Sequence, residues 1–121
     1  MKKILLDSNF VVSCVKNKID FFEKLIGNQI LIPTQVIEEL KKLSDSKQKL
    51  HNKEIATLSL QIIQKNKFKK IDLGKGHVDK KIIQYVKDNP EVIVATLDKE
   101  LQKKINTKKL IIRGKKKLEI I

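Results

Sequence analysis

Val92-Ile93-Val94-Ala95-Thr96-Leu97-Asp98 is a short apolar run that stops at a carboxylate. With no polar residue alternating through it, it reads as a strand buried on both faces. The chain opens in the same way, with Lys2-Lys3-Ile4-Leu5-Leu6-Asp7, a buried strand over 3–7 ending in Asp. Gln29-Ile30-Leu31-Ile32 is another such strand. Between the first two, residues 9–16 and 19–26 read as helices, with Phe21, Phe22, Leu25 and Ile26 apolar and Gly27-Asn28 as a break. Pro33 is suited to start a helix, where its missing N–H is no loss. That helix carries Val36, Ile37, Leu40 and Leu43 and gives way to a polar stretch, Ser44 to Lys49. The spacing predicts a further helix over 50–66 with Ile55, Leu58, Ile62 and Ile63 inward, then a strand from Phe68 to Leu73. Gly74-Lys75-Gly76 is a turn before a helix over 77–88, which Asn89-Pro90 stops. After strand 92–96 come helix 99–106, strand 109–113 and a last extended piece, 117–121.

Strands alternating with helices predict an α/β fold with a mostly parallel sheet. The chain of 121 residues suits a single domain, 1–121, and shows no linker or repeat. Its net charge is +13, from 27 Lys+Arg against 14 Asp+Glu, which favours a polyanionic partner. Arg113 is the only Arg, so AT-rich codon bias is a second source of the lysines. Aromatics are confined to Phe10, Phe21, Phe22, Phe68 and Tyr85, too few for rows of base-stacking rings. Cys14 is alone, which excludes an internal disulfide and a cysteine zinc site and fits a reducing cytoplasm. The N-terminal apolar stretch is broken by Asp7, Ser8 and Asn9, unlike a secretion signal, and no stretch is long enough to span a membrane.

Four acids then stand out: Asp7, Glu39, Asp79 and Asp98. In an open parallel sheet, ligands bind beyond the carboxyl ends of the strands, where the strand order reverses. Asp7 and Asp98 occupy such ends and converge if the first and fourth strands are neighbours. Like charges that close ionise together only at a cost, unless a cation lies between them. Mg²⁺ or Mn²⁺ takes carboxylate oxygens as ligands. On helix 34–43 the apolar face centres near Leu40, with Glu39 about 90° from that centre and Glu38 almost opposite, facing water. Asp79 borders the stripe Val78, Ile82, Ile83 and Val86. Each acid also has a purely structural use. Asp98 can cap the helix after it, Asp79 can complement a helix dipole, and Asp7 can be a strand-end turn residue. Two acids at strand ends and two beside apolar stripes together favour a shared metal site acting on a polyanion. Asn9 or Thr96 could orient an attacking water there. Lys103, Lys104, Lys108, Lys109, Arg113, Lys115, Lys116 and Lys117 crowd the C-terminal quarter as a phosphate-contacting or merely solvated face. Gly74-Lys75-Gly76-His77 lacks the spacing of a phosphate loop. His51 and His77 stand apart from one another, and no Ser-His-Asp arrangement is evident.

Ile4-Leu5-Leu6-Asp7-Ser8-Asn9-Phe10, Ile32-Pro33-Thr34-Gln35-Val36-Ile37-Glu38-Glu39-Leu40, Gly76-His77-Val78-Asp79-Lys80-Lys81-Ile82-Ile83 and Val92-Ile93-Val94-Ala95-Thr96-Leu97-Asp98-Lys99-Glu100-Leu101 follow one another in the order of four motifs. In these the chain resembles the PIN-domain family of ribonucleases. The likeness is to a small archaeal single-domain branch similar to rRNA-processing PIN nucleases and, more distantly, to VapC-type toxins. The resemblance implies a three-layer α/β/α fold with a central five-stranded parallel sheet. It implies Mg²⁺- or Mn²⁺-dependent endonuclease cleavage of single-stranded RNA, and, as is often the case in the family, a homodimer. Asp7, Glu39, Asp79 and Asp98 would be the catalytic and metal-ligating residues, supported by Asn9 and Thr96. Lys80, Lys99, Arg113, Lys115 and Lys116 would contact RNA, single-stranded or structured. Lys80 stands where this branch often has a second acid, and Leu97 where it often has Asn. Processing of rRNA or other RNA is the expected role. A non-cutting RNA-binding ribosome-assembly factor and a VapC-type toxin held by an antitoxin are the alternatives.

Overall fold

The computed structural model describes residues 1–45 and 50–121. In chain order the elements are β1 (Lys3–Leu6), α1 (Ser8–Lys16), α2 (Phe21–Lys24), β2 (Gln29–Pro33), α3 (Thr34–Asp45), α4 (Leu50–Gln64), β3 (Lys69–Ile71), α5 (Val78–Asp88), β4 (Val92–Ala95), α6 (Lys99–Lys104), β5 (Lys109–Arg113) and β6 (Lys117–Ile120). Of the polar stretch expected over 44–49, Ser44 and Asp45 close α3, and 46–49 lie outside the described residues.

Side chains alternate across a strand, and here both sets are apolar. Ile4, Leu6, Ile30, Ile32, Ile93 and Ala95 point to one face, where they pack with Phe10, Phe21, Val36, Leu40 and Ile63 from α1–α4. Leu5, Leu31, Val92 and Val94 point to the other, against Ile82 and Val86 of α5 and Leu101 of α6. Helices on both faces of one sheet make the three-layer α/β/α arrangement.

The sheet order is β3-β2-β1-β4-β5-β6. It holds six strands where five were expected. The first five are parallel, and β6 turns back antiparallel onto β5, with Arg113 opposite Lys117. The extra strand is the C-terminal extended piece, folded over at Gly114, whose φ of 65° lies where glycine carries no steric penalty. Because β2 and β3 lie on one side of β1 and β4 and β5 on the other, the order reverses between β1 and β4. Leu6 pairs with Ala95, so their carboxyl ends are level.

Local expectations shift in three places. Pro33 ends β2 opposite Ile71, and α3 begins one residue later. The second helix shrinks to α2, which begins where Asp20 Oδ1 accepts from the Glu23 N–H at 3.1 Å. On α4 the buried residues are Ala56, Ser59 and Ile63, while Leu58 is 45% exposed. Small side chains let α4 approach closely, and Ser59 tolerates burial because its hydroxyl donates to Ile55 O at 2.7 Å.

Candidate active site

Asp7 follows β1 directly, and its N–H donates to Ala95 O at 2.9 Å, extending the ladder to the strand end. It is 5% exposed, and both of its carboxylate oxygens accept hydrogen bonds. Oδ1 accepts from the Ser8 N–H at 2.9 Å, which caps α1. Oδ2 accepts from the Thr96 hydroxyl at 2.9 Å and, more weakly, from Asn9 Nδ2 at 3.4 Å. Burial pushes the Asp7 carboxyl above its ordinary value. The bonds from Thr96 and Ser8 oppose this, and the nearby charges of Asp79 and Glu39 add to it.

Thr96 is buried at the end of β4 and faces Asp7 across the point where strand order reverses. Asn9 Oδ1 accepts from the Leu97 N–H at 3.0 Å, tying the two strand ends together. The two residues expected to orient a water therefore first orient Asp7. Asp98 does cap α6: its Oδ1 accepts from the N–H groups of Glu100 at 2.9 Å and Leu101 at 3.2 Å. Both bonds use one oxygen, which leaves Oδ2 for the cleft.

Glu39 is held from below by Ser8, whose hydroxyl donates to Glu39 Oε2 at 2.9 Å. Asp79 lies in the first turn of α5. Asp7, Glu39, Asp79 and Asp98 all line one open cleft of about 570 Å³, together with Ser8, Asn9, Gln35, Glu38, Lys42, His77 and Val78. The four expected acids are thus brought together, from four separate elements.

Glu38 is the correction. It is exposed to water as expected, but it does not stand on the far side of α3: it lines the same open cleft. On α3 the cleft-facing residues are Gln35, Glu38, Glu39 and Lys42, spaced i, i+3, i+4, i+7, which is a continuous stripe. The stripe is centred well away from the buried residues Val36 and Leu40, so measuring from the apolar face alone put Glu38 outside. Ser8 and Gln35 were also missed. The small polar pair after Asp7 hinted at the first, and the helical stripe itself could have shown the second.

Five carboxylates and a single lysine face this cleft among the described residues. This is a hard-oxygen donor set of the kind that suits Mg²⁺ or Mn²⁺. Burying Asp7 beside two other acids has a cost that a cation would lower. In donor type and charge the residues fit such an ion. Among the described residues, no three Asp, Glu, His or Cys side chains stand so that they could hold a metal ion together as placed. Glu39 and Asp79 are exposed and retain rotamer freedom.

None of the expected RNA contacts Lys80, Lys99, Arg113, Lys115 and Lys116 lines the cleft. All are exposed. Lys80 and Lys99 each follow a cleft acid. Arg113 Nε donates to Glu119 Oε2 at 2.7 Å, so part of its charge is already matched. Leu110 is level with Ala95, so the β5–β6 hairpin runs about 10 Å past the end of β4. Its turn, with Lys115 and Lys116, projects from the same sheet edge as the acids. Elsewhere, Cys14 is buried and its thiol is pushed up to about 12 by burial, which removes it as a nucleophile. Among the described residues no helix is long and apolar enough to cross a membrane.

The profile of the PIN-like domain matches residues 4–115. Ribonuclease VapC4 of Methanocaldococcus jannaschii is 35% identical over 128 residues, covering 99% of this chain and 97% of that protein. The PIN domain endonuclease Utp24 superposes with a TM-score of 0.80 at 25% identity, over 98% of this chain and 90% of its own. VapBC2 from Rickettsia felis, solved bound to a DNA fragment from their promoter, shares the fold with a TM-score of 0.61 at 18% identity, over 88% of this chain and 98% of that one. The order of strands, the acids gathered where that order reverses, and a match across nearly the whole length agree: the chain belongs to the PIN-like domain family.

Proposed function

We propose that this protein is a metal-dependent endoribonuclease and that Asp7, Glu39, Asp79 and Asp98 form its centre. The observation that carries the reading is their arrival on one cleft from four elements, at the reversal of strand order. Ribonuclease VapC4 supports RNA as the substrate. A bound Mg²⁺ or Mn²⁺ would supply acidity to the attacking water and neutralise charge on the phosphate. The four acids would hold it. Thr96 and Ser8 fix the Asp7 carboxylate, and Ser8 also steadies Glu39, so the first residue of α1 orients two of the donors. Asp98 keeps one oxygen for its helix and offers the other. The overhanging Lys115 and Lys116, with Lys80 and Lys99 beside the acids, would hold the RNA backbone.

Incubation of the protein with labelled RNAs, single-stranded and structured, tests this. New internal ends that appear with Mn²⁺ and vanish with EDTA support it, and RNA bound but uncut under both conditions would leave a non-cutting binding module. The likeness to VapC4 also favours a second reading, a toxin ribonuclease held by an antitoxin. Growth arrest on expression of the chain, relieved by a small protein encoded beside it, would separate that role from RNA processing.

A further inference from the structure

Gln35 makes contacts that neither the fold nor the acids account for. Its Nε2 donates to Asp72 Oδ1 at 2.8 Å and to Gly74 O at 3.1 Å. Its Oε1 accepts from the Leu73 N–H at 3.2 Å and from the Thr34 hydroxyl at 3.2 Å. The fixed polarity of the Leu73 N–H and the Gly74 carbonyl sets the amide's orientation, and both of its donors and its oxygen are in use. Asp72 Oδ1 in turn accepts from the Gly74 N–H at 2.8 Å, closing a tight turn. The segment so held, 72–77, joins β3 to α5 and ends one residue before the turn that bears Asp79. Its other side is covered by Lys81: a Cβ at Gly76 would come within 3.2 Å of Lys81 Cε. Gly74 and Gly76 have φ of 88° and 122°, so no stiffer residue holds this bend by itself. Gln35 and Glu39 share the cleft-facing stripe of α3, and Gln35 lines both the acid cleft and the adjoining hollow over the loop.

We propose that Gln35 is a positioning residue of the carboxylate centre: by tying loop 72–74 to α3, it sets Asp79 in register with Glu39. The inference rests on the nuclease reading above. The Glu39 carboxylate is tied to the start of α1 by the Ser8 hydroxyl, whereas the Asp79 side chain makes no hydrogen bond among the described residues, so its place depends on how its helix is delivered.

The test uses Gln35→Met, which keeps the length of the side chain without its hydrogen bonds, and Asp72→Ala, which removes the exposed partner instead. Amide hydrogen exchange reads the clamp directly. The Leu73 amide should exchange about tenfold faster in Gln35→Met, with the melting temperature little changed. Mn²⁺ binding to the protein alone, followed by the resonance signal of free Mn²⁺, should weaken by about tenfold or more, as for other groups that orient metal ligands. Cleavage of labelled RNA should then need correspondingly more Mn²⁺ but recover at saturation. Asp72→Ala should move the same readouts in the same direction. A freed Leu73 amide with unchanged Mn²⁺ affinity and metal demand would overturn the positioning role while leaving the nuclease standing. A wild-type protein that neither binds Mn²⁺ nor cuts RNA would overturn both.

Discussion

Asp98 caps helix α6 with one oxygen and also lines the cleft, and the cap and the proposed role in the cleft separate by substitution. Asp98→Asn retains an acceptor for the Glu100 and Leu101 N–H groups, so thermal stability should hold while RNA cleavage falls sharply. Asp98→Ala removes the cap as well and should cost about 1 kcal/mol in chemical denaturation. Full activity in Asp98→Asn would make the residue a cap alone. Asp7 is different, because burial raises its pKa from 3.8. The native state then holds that proton more tightly than the unfolded chain. Ionised Asp7 therefore lowers stability at neutral pH, and that loss disappears as pH falls through the raised value. The melting temperature of Asp7→Asn relative to wild type should accordingly be highest near neutrality and drop as the pH approaches the carboxylate range. A difference that stays flat or grows on acidification would mean that Asp7 is not under the strain its burial implies.

Among the elements, α3 carries the sharpest contrast. Glu39 accepts from Ser8 and faces the centre, and Glu38 stands on the outer rim where the cleft meets the hollow over loop 72–76. Glu39→Gln should lower Mn²⁺-dependent cleavage by about 100-fold, the upper range for loss of a metal-site group, and Glu38→Gln by much less. The two variants carry the same charge change one residue apart, so bulk electrostatics cancels in a comparison of their rates. Equal losses would mean that α3 acts through its summed charge. Much of this element structure was legible beforehand. The apolar runs of β1, β2 and β4 are unambiguous because both faces are covered, and the chain puts Asp7 and Asp98 at their ends. What depends on a distant partner was hidden. The final strand was visible as an extended piece, but its antiparallel pairing arises only once Gly114 turns the chain back. Nothing local in the sequence marks Gln35, since its partners Asp72 and Gly74 lie 37 and 39 residues away. Glu38 was misplaced because an apolar face tells where the core lies and not where a cleft opens.

At the scale of the whole molecule, an acidic cleft is set in a protein of net charge +13. Among the described residues only Lys3, Lys103 and Arg113 are paired with acids within 4 Å, which leaves most of the positive charge free for phosphates. RNA binding should therefore weaken steeply with salt, with a log–log slope of about −0.7 for each phosphate neutralised on a single strand. Neutralising Lys115 and Lys116 on the overhanging hairpin should flatten that slope, and a titration that is flat in the wild type would reduce the lysines to a solvated face. The fold explains how attraction and chemistry coexist: the parallel sheet collects the acids at one edge, and the β5–β6 hairpin extends basic residues past that same edge. On the proposed reading, these acids act as one metal-dependent centre. Single-turnover cleavage of a labelled RNA, compared between wild type and Asp7→Asn with Mn²⁺ and with EDTA, tests it most directly. The wild type should cut with Mn²⁺ and not with EDTA, and Asp7→Asn should lose about 100-fold or more; cleavage that survives EDTA, or an Asp7→Asn protein as active as the wild type, would rule out such a centre.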